Sequence, residues 1–323
     1  MADFTEDDTG IQFLGLLVPA LIALIAGLVI HSFIIGVNVT DWWKGRSVTP
    51  VDHIITSLGI SRMCAQCTIT VYVIVRKLFL MNLHLYITLL ILDAGYTFFI
   101  YTNVWLTSLL SVVLCLKISN FHTRLFLYLK GMIAHRTVYF IGTSVLLAAF
   151  TCVMPFSISI TDVINGRTCN RTMDNLYIDC LYSNSIYSYI VGSIFPMIFY
   201  CISSVLLFTS LYHHTTKMKM SSNSSTNLET YYSVMKCVSF TFIYNTLYFI
   251  CNFVGLYFYY IYCVYLDWLL IVLEFLPVLH SSLLIYRTIN LRSQMFKVLQ
   301  NVTDFLLQRK DTESKENIEV VAL

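Results

Sequence analysis

The sequence predicts an all-helical membrane protein that crosses the bilayer seven times, and three observations carry that reading. Of its 323 residues, 57% are hydrophobic and only 12% charged, about half the charged share of a soluble domain. Apolar runs bounded by polar clusters recur near 11–37, 51–75, 88–115, 137–160, 185–211, 235–262 and 265–287, each close to the roughly 20 residues a helix needs to cross the hydrocarbon layer. Basic residues also segregate. The first, third and fifth connections and the tail, with their flanking helix ends, hold fifteen Lys and Arg, from Lys44 to Lys315, whereas the opposite side holds Arg76, Lys77, Arg167 and Arg171.

Cytoplasmic loops retain Lys and Arg, so this asymmetry predicts an N-terminus outside and a C-terminus in the cytosol. Residues 1–10 carry Asp3, Glu6, Asp7 and Asp8 and no Lys or Arg, which is the wrong charge for a cleavable signal peptide. They are read as an extracellular segment ahead of a retained first span. The seven-helix domain then covers 11–287, with a very short turn, Tyr262 to Asp267, before the last span. Interior Pro155, Pro196 and Pro277 each remove an intrahelical hydrogen bond and favour a kink. Beyond the last span, Leu291, Met295, Leu299, Val302, Phe305 and Leu306 recur at helical spacing among basic and polar residues. That pattern predicts an amphipathic helix over 288–307 lying on the inner leaflet, followed by a flexible cytoplasmic tail, 308–323.

The composition excludes most soluble enzymes, and a net charge of +2 gives no footing for nucleic acid. No HExxH, GxSxG or Walker loop occurs, no close carboxylate pair lies within a span, and no metal or cofactor is expected. Seven of the ten cysteines fall inside apolar runs, where Cys packs as a small hydrophobe. Cys169 and Cys180 lie in the longest outside loop, where a local disulfide can form, with Cys263 an alternative partner for either. The same loop holds the sequon Asn170-Arg171-Thr172, a glycosylation acceptor on the translocated side.

Arg62 is the most demanding residue, because a charge inside a span costs several kcal/mol unless it faces the bundle interior. His31 and Ser281 are candidate acceptors for its guanidinium, and snorkelling to the inner interface is the plainer alternative. Its setting, Leu58-Gly59-Ile60-Ser61-Arg62, resembles the Leu-Ala-Ile-Ser-Arg pattern of the type 2 taste (bitter-taste) receptors. Leu116-Lys117-Ile118-Ser119-Asn120-Phe121, followed by Leu125 to Lys130, resembles their third-span exit and second cytoplasmic loop. Matches continue in order through Val37-Asn38, Asp41-Trp42, Asp52, Trp105, Ser210 to Thr215, Lys236, Ser239, Phe240 and Tyr244, then Pro277-Val278-Leu279-His280-Ser281. The resemblance covers about residues 27–300. Departures are His31 where the family has an Asn that pairs with the Arg, Val113-Leu114 in place of Phe-Tyr, and Tyr231 in place of a His.

The resemblance implies a G-protein-coupled receptor of the plasma membrane that binds small bitter-type agonists and activates a heterotrimeric G protein of the gustducin type. It implies an activation network of His31, Arg62, Ser281, Trp105, Pro277 and His280, and a G-protein face that includes Lys117, Lys130, His214 and Lys236. Short outside loops favour a ligand cavity in the outer half of the bundle. Asp93, Tyr96, Ile100 and Tyr101 on span three, and Leu270 and Glu274 on span seven, are its candidate walls; packing between helices is their plainer role. Ile100 stands where many relatives have an Asn that bonds ligand. Type 1 vomeronasal receptors share the seven spans and the orientation, but the Leu116 to Phe121 run and His280-Ser281 argue against them. A transporter or channel would call for an internal repeat or paired broken helices, and the sequence shows neither.

Overall fold

The computed structural model describes residues 4–47, 49–78, 83–119, 124–164, 188–220, 225–262 and 266–321; Cys169, Asn170, Cys180 and Cys263 lie outside them. The described residues are helical almost throughout. In chain order the helices are α1 (Phe4–Trp43), α2 (Pro50–Leu78), α3 (Leu83–Ile118), α4 (Arg124–Ile164), α5 (Phe195–Met220), α6 (Ser225–Tyr262), α7 (Asp267–Arg287) and α8 (Ile289–Val321). A π-helical turn, Ile190–Ile194, leads into α5. Each of α1 to α7, with α5 taken together with the π-helical turn, contains a stretch long and apolar enough to cross a membrane, beginning with Leu17–Trp43 and ending with Trp268–Arg287.

These helices are amphipathic in the sense that lipid demands, with large apolar groups outside and small or polar groups inside. On α1, Val18, Ile22, Ile25 and Val29 form an exposed stripe. Ala20, Ala23, Gly27, His31, Ile34 and Asn38, spaced by three and four, are buried on the opposite face. Small residues let backbones approach where no hydrophobic drive separates protein from lipid. A Cβ on Gly27 would overlap the Gln66 amide, and Gly59 sits against Ile35 and the His31 carbonyl. At the far end of this contact, Asn38 Nδ2 donates to Thr56 Oγ1 at 2.9 Å.

Helix α2 opens on a capping box. Thr49 is the cap, Pro50 occupies the first helical position, and Asp52 reaches back so that its Oδ2 accepts from the Thr49 N–H at 2.9 Å. The Thr49 hydroxyl accepts in turn from the Asp52 N–H at 3.4 Å. Asp52→Ala is expected to cost about 1 kcal/mol, read as a lowered thermal unfolding midpoint in detergent; an unchanged midpoint would show that this helix end frays without consequence.

Helix α3 is the central element. It packs on α2, α4 and α5, and 61% of its most apolar stretch is buried, against 17% for that of α6. Hydroxyl bridges pin it in place: Ser61 donates to the Phe99 carbonyl at 3.2 Å, and Ser111 meets Ser203 at 2.8 Å and Ser204 at 3.1 Å. Near its Lys117 end, Cys115 packs with Leu207 and Leu211 of α5, joined by Leu114 and by Met235 and Val238 of α6. Leu114 therefore takes part in close packing at the position where it departs from the family pattern.

Two irregularities matter. Helix α4 is broken at Arg136 (φ −122°, ψ 21°), so that 124–135, which includes the Leu125 to Lys130 run read from sequence as the second cytoplasmic loop, is a helical segment of its own ahead of the span expected from 137. Helix α1 contains Pro19 in addition to the prolines expected within α4, α5 and α7.

The chain divides into two compact units, Met1–His280 and Ser281–Leu323. In the second, the Thr288 N–H donates to the Leu284 carbonyl and the Arg292 N–H to the Thr288 carbonyl, both at 2.9 Å, carrying the hydrogen-bond ladder across the bend at Thr288. Helix α8 runs past 307, where the amphipathic stretch was expected to end, because Lys, Glu and Gln are good helix formers even where the apolar pattern stops.

Candidate functional site

Within the first unit, polar side chains from α2, α3, α6 and α7 converge in the middle of the bundle. Arg62 and Gln66 are one turn apart on α2, so they share its inward face; they are 3% and 2% exposed. Arg62 Nη1 contacts His280 Nδ1 of α7 at 2.9 Å. A guanidinium can only donate, so Nδ1 must be the accepting nitrogen, and the imidazole is neutral with its proton on Nε2. The His280 ring stacks on Tyr244 of α6, centroids 4.6 Å apart and planes 20° apart, and Tyr244 lies in turn against Tyr248 at 6.2 Å.

One turn along α2, Gln66 Nε2 donates to the Glu274 carbonyl of α7 at 3.1 Å. Pro277 has no N–H, so the carbonyl left without its helical donor is that of Leu273; Gln66 bonds the next carbonyl along, that of Glu274, and so ties α2 to the turn of α7 that the proline interrupts. The two contacts, Arg62 to His280 and Gln66 to Glu274, are thus about one turn apart on α2 and nearly two turns apart on α7.

Beside Arg62 a cavity opens among α3, α5, α6 and α7, enclosing about 450 Å³ counted with its open side. Asn103, Thr107 and Ser108 come from α3, Tyr200 from α5, and Tyr244, Asn245 and Tyr248 from α6, with Pro196 and Pro277 closing two sides. The recurrence at i and i+4 on α3 and α6 is what places these polar groups on one face of each helix.

The sequence-derived candidates fall as follows. Arg62, Pro277 and His280 are brought together. His31 is buried on α1 with neither ring nitrogen hydrogen-bonded, so the guanidinium contact expected from it is made by His280 instead. Ser281 is buried and belongs to the second unit. Trp105 is half-buried, and its Nε1 has no hydrogen-bond partner. Among the proposed ligand walls, Asp93, Tyr96 and Ile100 are half-buried on α3, and Ile100 packs on the cluster of Tyr244, Tyr248, Leu269, Leu273 and Leu276. Tyr101 is buried against Gly192 in the π-helical turn. Leu270 is half-buried, whereas Glu274 is 4% exposed and its Oε2 has no hydrogen-bond partner. None of these six lines the cavity described above, which lies one turn further along both helices, from Ile100 to Val104 and from Glu274 to Pro277. Lys117, Lys130, His214 and Lys236 are all exposed.

Gln66, Asn103, Tyr200 and Asn245 were not identified from sequence. Gln66 carried a usable signal, an amide inside an apolar span at i+4 from the buried arginine. Asn103 and Asn245 carried the same kind of signal more weakly, since an isolated intramembrane Asn also serves as a helix-packing residue; Asn245 does bond the Thr241 carbonyl of its own helix.

Seven helices apolar enough to cross a membrane, with a buried polar junction that links α2, α6 and α7, define a multi-pass membrane helix bundle. A family model described as "Taste receptor protein (TAS2R)" matches residues 11–303. Taste receptor type 2 member 7 of Rattus norvegicus is 28% identical over 224 residues, covering 67% of this chain and 69% of that protein. Taste receptor type 2 member 16 of Pongo pygmaeus is 27% identical, covering 69% and 76%, and member 39 of Mus musculus is 24% identical, covering 68% and 71%. The chain belongs to the type 2 taste receptor family, the bitter-taste branch of the G-protein-coupled receptors.

Proposed function

We propose that this receptor is activated by small bitter-type agonists and signals through a gustducin-type heterotrimeric G protein from the plasma membrane, with the N-terminus outside. The observation that carries the reading is the Arg62–His280 contact, stacked on Tyr244, which joins three helices at a buried point. Any rearrangement that parts α6 from α7 must keep or break that junction, and an agonist shifts the balance only by its difference in affinity between the two states. Agonist binds toward the end of the bundle that holds Asp93, Tyr96, Ile100, Tyr101, Leu270 and Glu274, where Glu274 can meet a cationic group. Orientation rests on the fifteen-to-four distribution of Lys and Arg, which also places Lys117, Lys130, His214 and Lys236 on the G-protein side, and Asn170, Cys169 and Cys180 on the glycosylated, oxidising side. Exposed Leu299, Val302 and Phe305 on α8 suit an apolar stripe against the inner leaflet.

The test is calcium release in cells that carry a gustducin-type chimeric G protein, challenged with a panel of bitter compounds. Wild type is expected to respond to at least one compound. Arg62→Ala, delivered to the surface in equal amount, is expected to lose most of that response. Silence of the wild type across a broad panel, with surface expression and an outward N-terminus confirmed, would overturn the assignment of agonist class and coupling partner.

A further inference from the structure

We propose that the helical segment 124–135 at the head of α4 docks on anionic phospholipid headgroups. That the leaflet is the inner one rests on the orientation given above; the docking itself rests on the segment's two faces. The third span ends at Ile118 and the fourth begins at Arg136, so both ends of the segment are held at one surface of the bilayer. The break at Arg136 lets its direction differ from that of the span. Phe126 and Ile133, seven residues apart, are buried on one face, and Thr137 Oγ1 donates to the Ile133 carbonyl at 2.6 Å. On the opposite face Arg124, Leu127, Tyr128 and Gly131, at i, i+3, i+4 and i+7, are exposed, Leu127 by 58% and Tyr128 by 68%. A leucine and a tyrosine turned outward beside a cation, at the level where a span emerges, suit the boundary between headgroups and acyl chains. The charge is one-sided as well. Between Asp93 and Asp162 the sequence holds no acidic residue, while Lys117, Arg124, Lys130 and Arg136 in that stretch are all exposed. Each juxtamembrane cation strengthens attraction to an anionic leaflet about fivefold, and a phosphate surface complements both the charge and the apolar pair.

The experiment uses the full-length receptor, without agonist or G protein, in nanodiscs of phosphatidylcholine alone or of phosphatidylcholine mixed with phosphatidylserine. A nanodisc offers phosphatidylserine in both leaflets, so the result does not depend on which side faces the cytosol, and its failure is distinguishable from failure of the functional proposal. Hydrogen exchange of the peptides that cover 124–135 is followed by mass spectrometry. Protection of these amides is expected to be at least about fivefold greater with phosphatidylserine, and added salt is expected to cancel the gain. Arg124→Gln combined with Lys130→Gln is expected to remove the gain while leaving protection in phosphatidylcholine unchanged. Leu127→Ser combined with Tyr128→Ser is expected to lower protection in both bilayers. Unchanged exchange in α3 shows that each variant is folded. Equal protection of wild type in the two bilayers would overturn the proposal and leave the face to a protein partner. A gain that survives loss of both cations would overturn it as well.

Discussion

His280→Ala is expected to destabilise the receptor by about 3 kcal/mol, the sum of a lost hydrogen bond to a charged donor and a lost ring stack. The histidine accepts from Arg62 at 2.9 Å and lies 4.6 Å from the Tyr244 ring, so the truncation takes away an acceptor and uncovers an aromatic face together. His280→Asn keeps an acceptor in reach of the guanidinium while losing most of the stack, and is expected to cost about half as much. Thermal unfolding midpoints of the two variants, measured in the same detergent, separate the contributions. If Asn proves as damaging as Ala, stacking rather than the Arg62 contact holds α7 in place; if neither variant moves the midpoint, the junction does not contribute to stability.

The second large effect is expected at Gly192. A Cβ there would lie 2.7 Å from three carbons of the Tyr101 ring, nearer than carbon atoms pack, and Tyr101 is itself buried at 8% exposure. The ring is rigid and the glycine sits within a π-helical turn, so neither partner can yield cheaply. Gly192→Ala is expected to cost about 3 kcal/mol, at the upper end of overpacking effects. Tyr101→Ala, combined with Gly192→Ala, should be less damaging than the sum of the two single changes, because the second truncation makes room for the added methyl group. Strict additivity in that double-mutant cycle would show that the two residues do not press on each other.

Much of this architecture was legible in the sequence because lipid imposes a coarse rule, about twenty apolar residues per crossing, that a run of hydropathy can satisfy without knowledge of neighbours. Ends were less legible. The first apolar run was read as 11–37, yet the helix continues to Trp43, since Asn38, Thr40 and Asp41 end the hydropathy without ending the backbone hydrogen bonds. The break at Arg136 agrees with the expected start of span four, but the helical segment before it, 124–135, is too short to register as a membrane span. Arg62 announced itself by cost alone. Its contact with His280 did not, because His31 and Ser281 were the acceptors weighed from sequence, and which side chain meets the guanidinium depends on how α1 and α7 are rotated. Positions 62 and 280 are 218 residues apart, and no local pattern encodes such a meeting. The amides of Gln66, Asn103 and Asn245 belong to no spacing rule either, and the cavity they help define emerges only when four helices are assembled.

The π-helical turn before Pro196 bears on how this receptor is to be compared with its relatives. The Phe195 N–H reaches back five residues to the Ile190 carbonyl, so the turn holds one more residue than an α-helical one. An added residue rotates everything on one side of it by about 100° relative to the other. Ser188 and Gly192, which meet Thr151 of α4 and Tyr101 of α3, therefore follow a different angular phase from Ser203, Ser204 and Leu207, which meet Ser111 and Cys115 of α3. A relative whose fifth span is α-helical throughout would bring its inward residues into line with this chain on one side of Pro196 and miss by one place on the other. Carrying a residue's role from one receptor to another along this span thus calls for two alignment frames, joined at Ile190–Ile194.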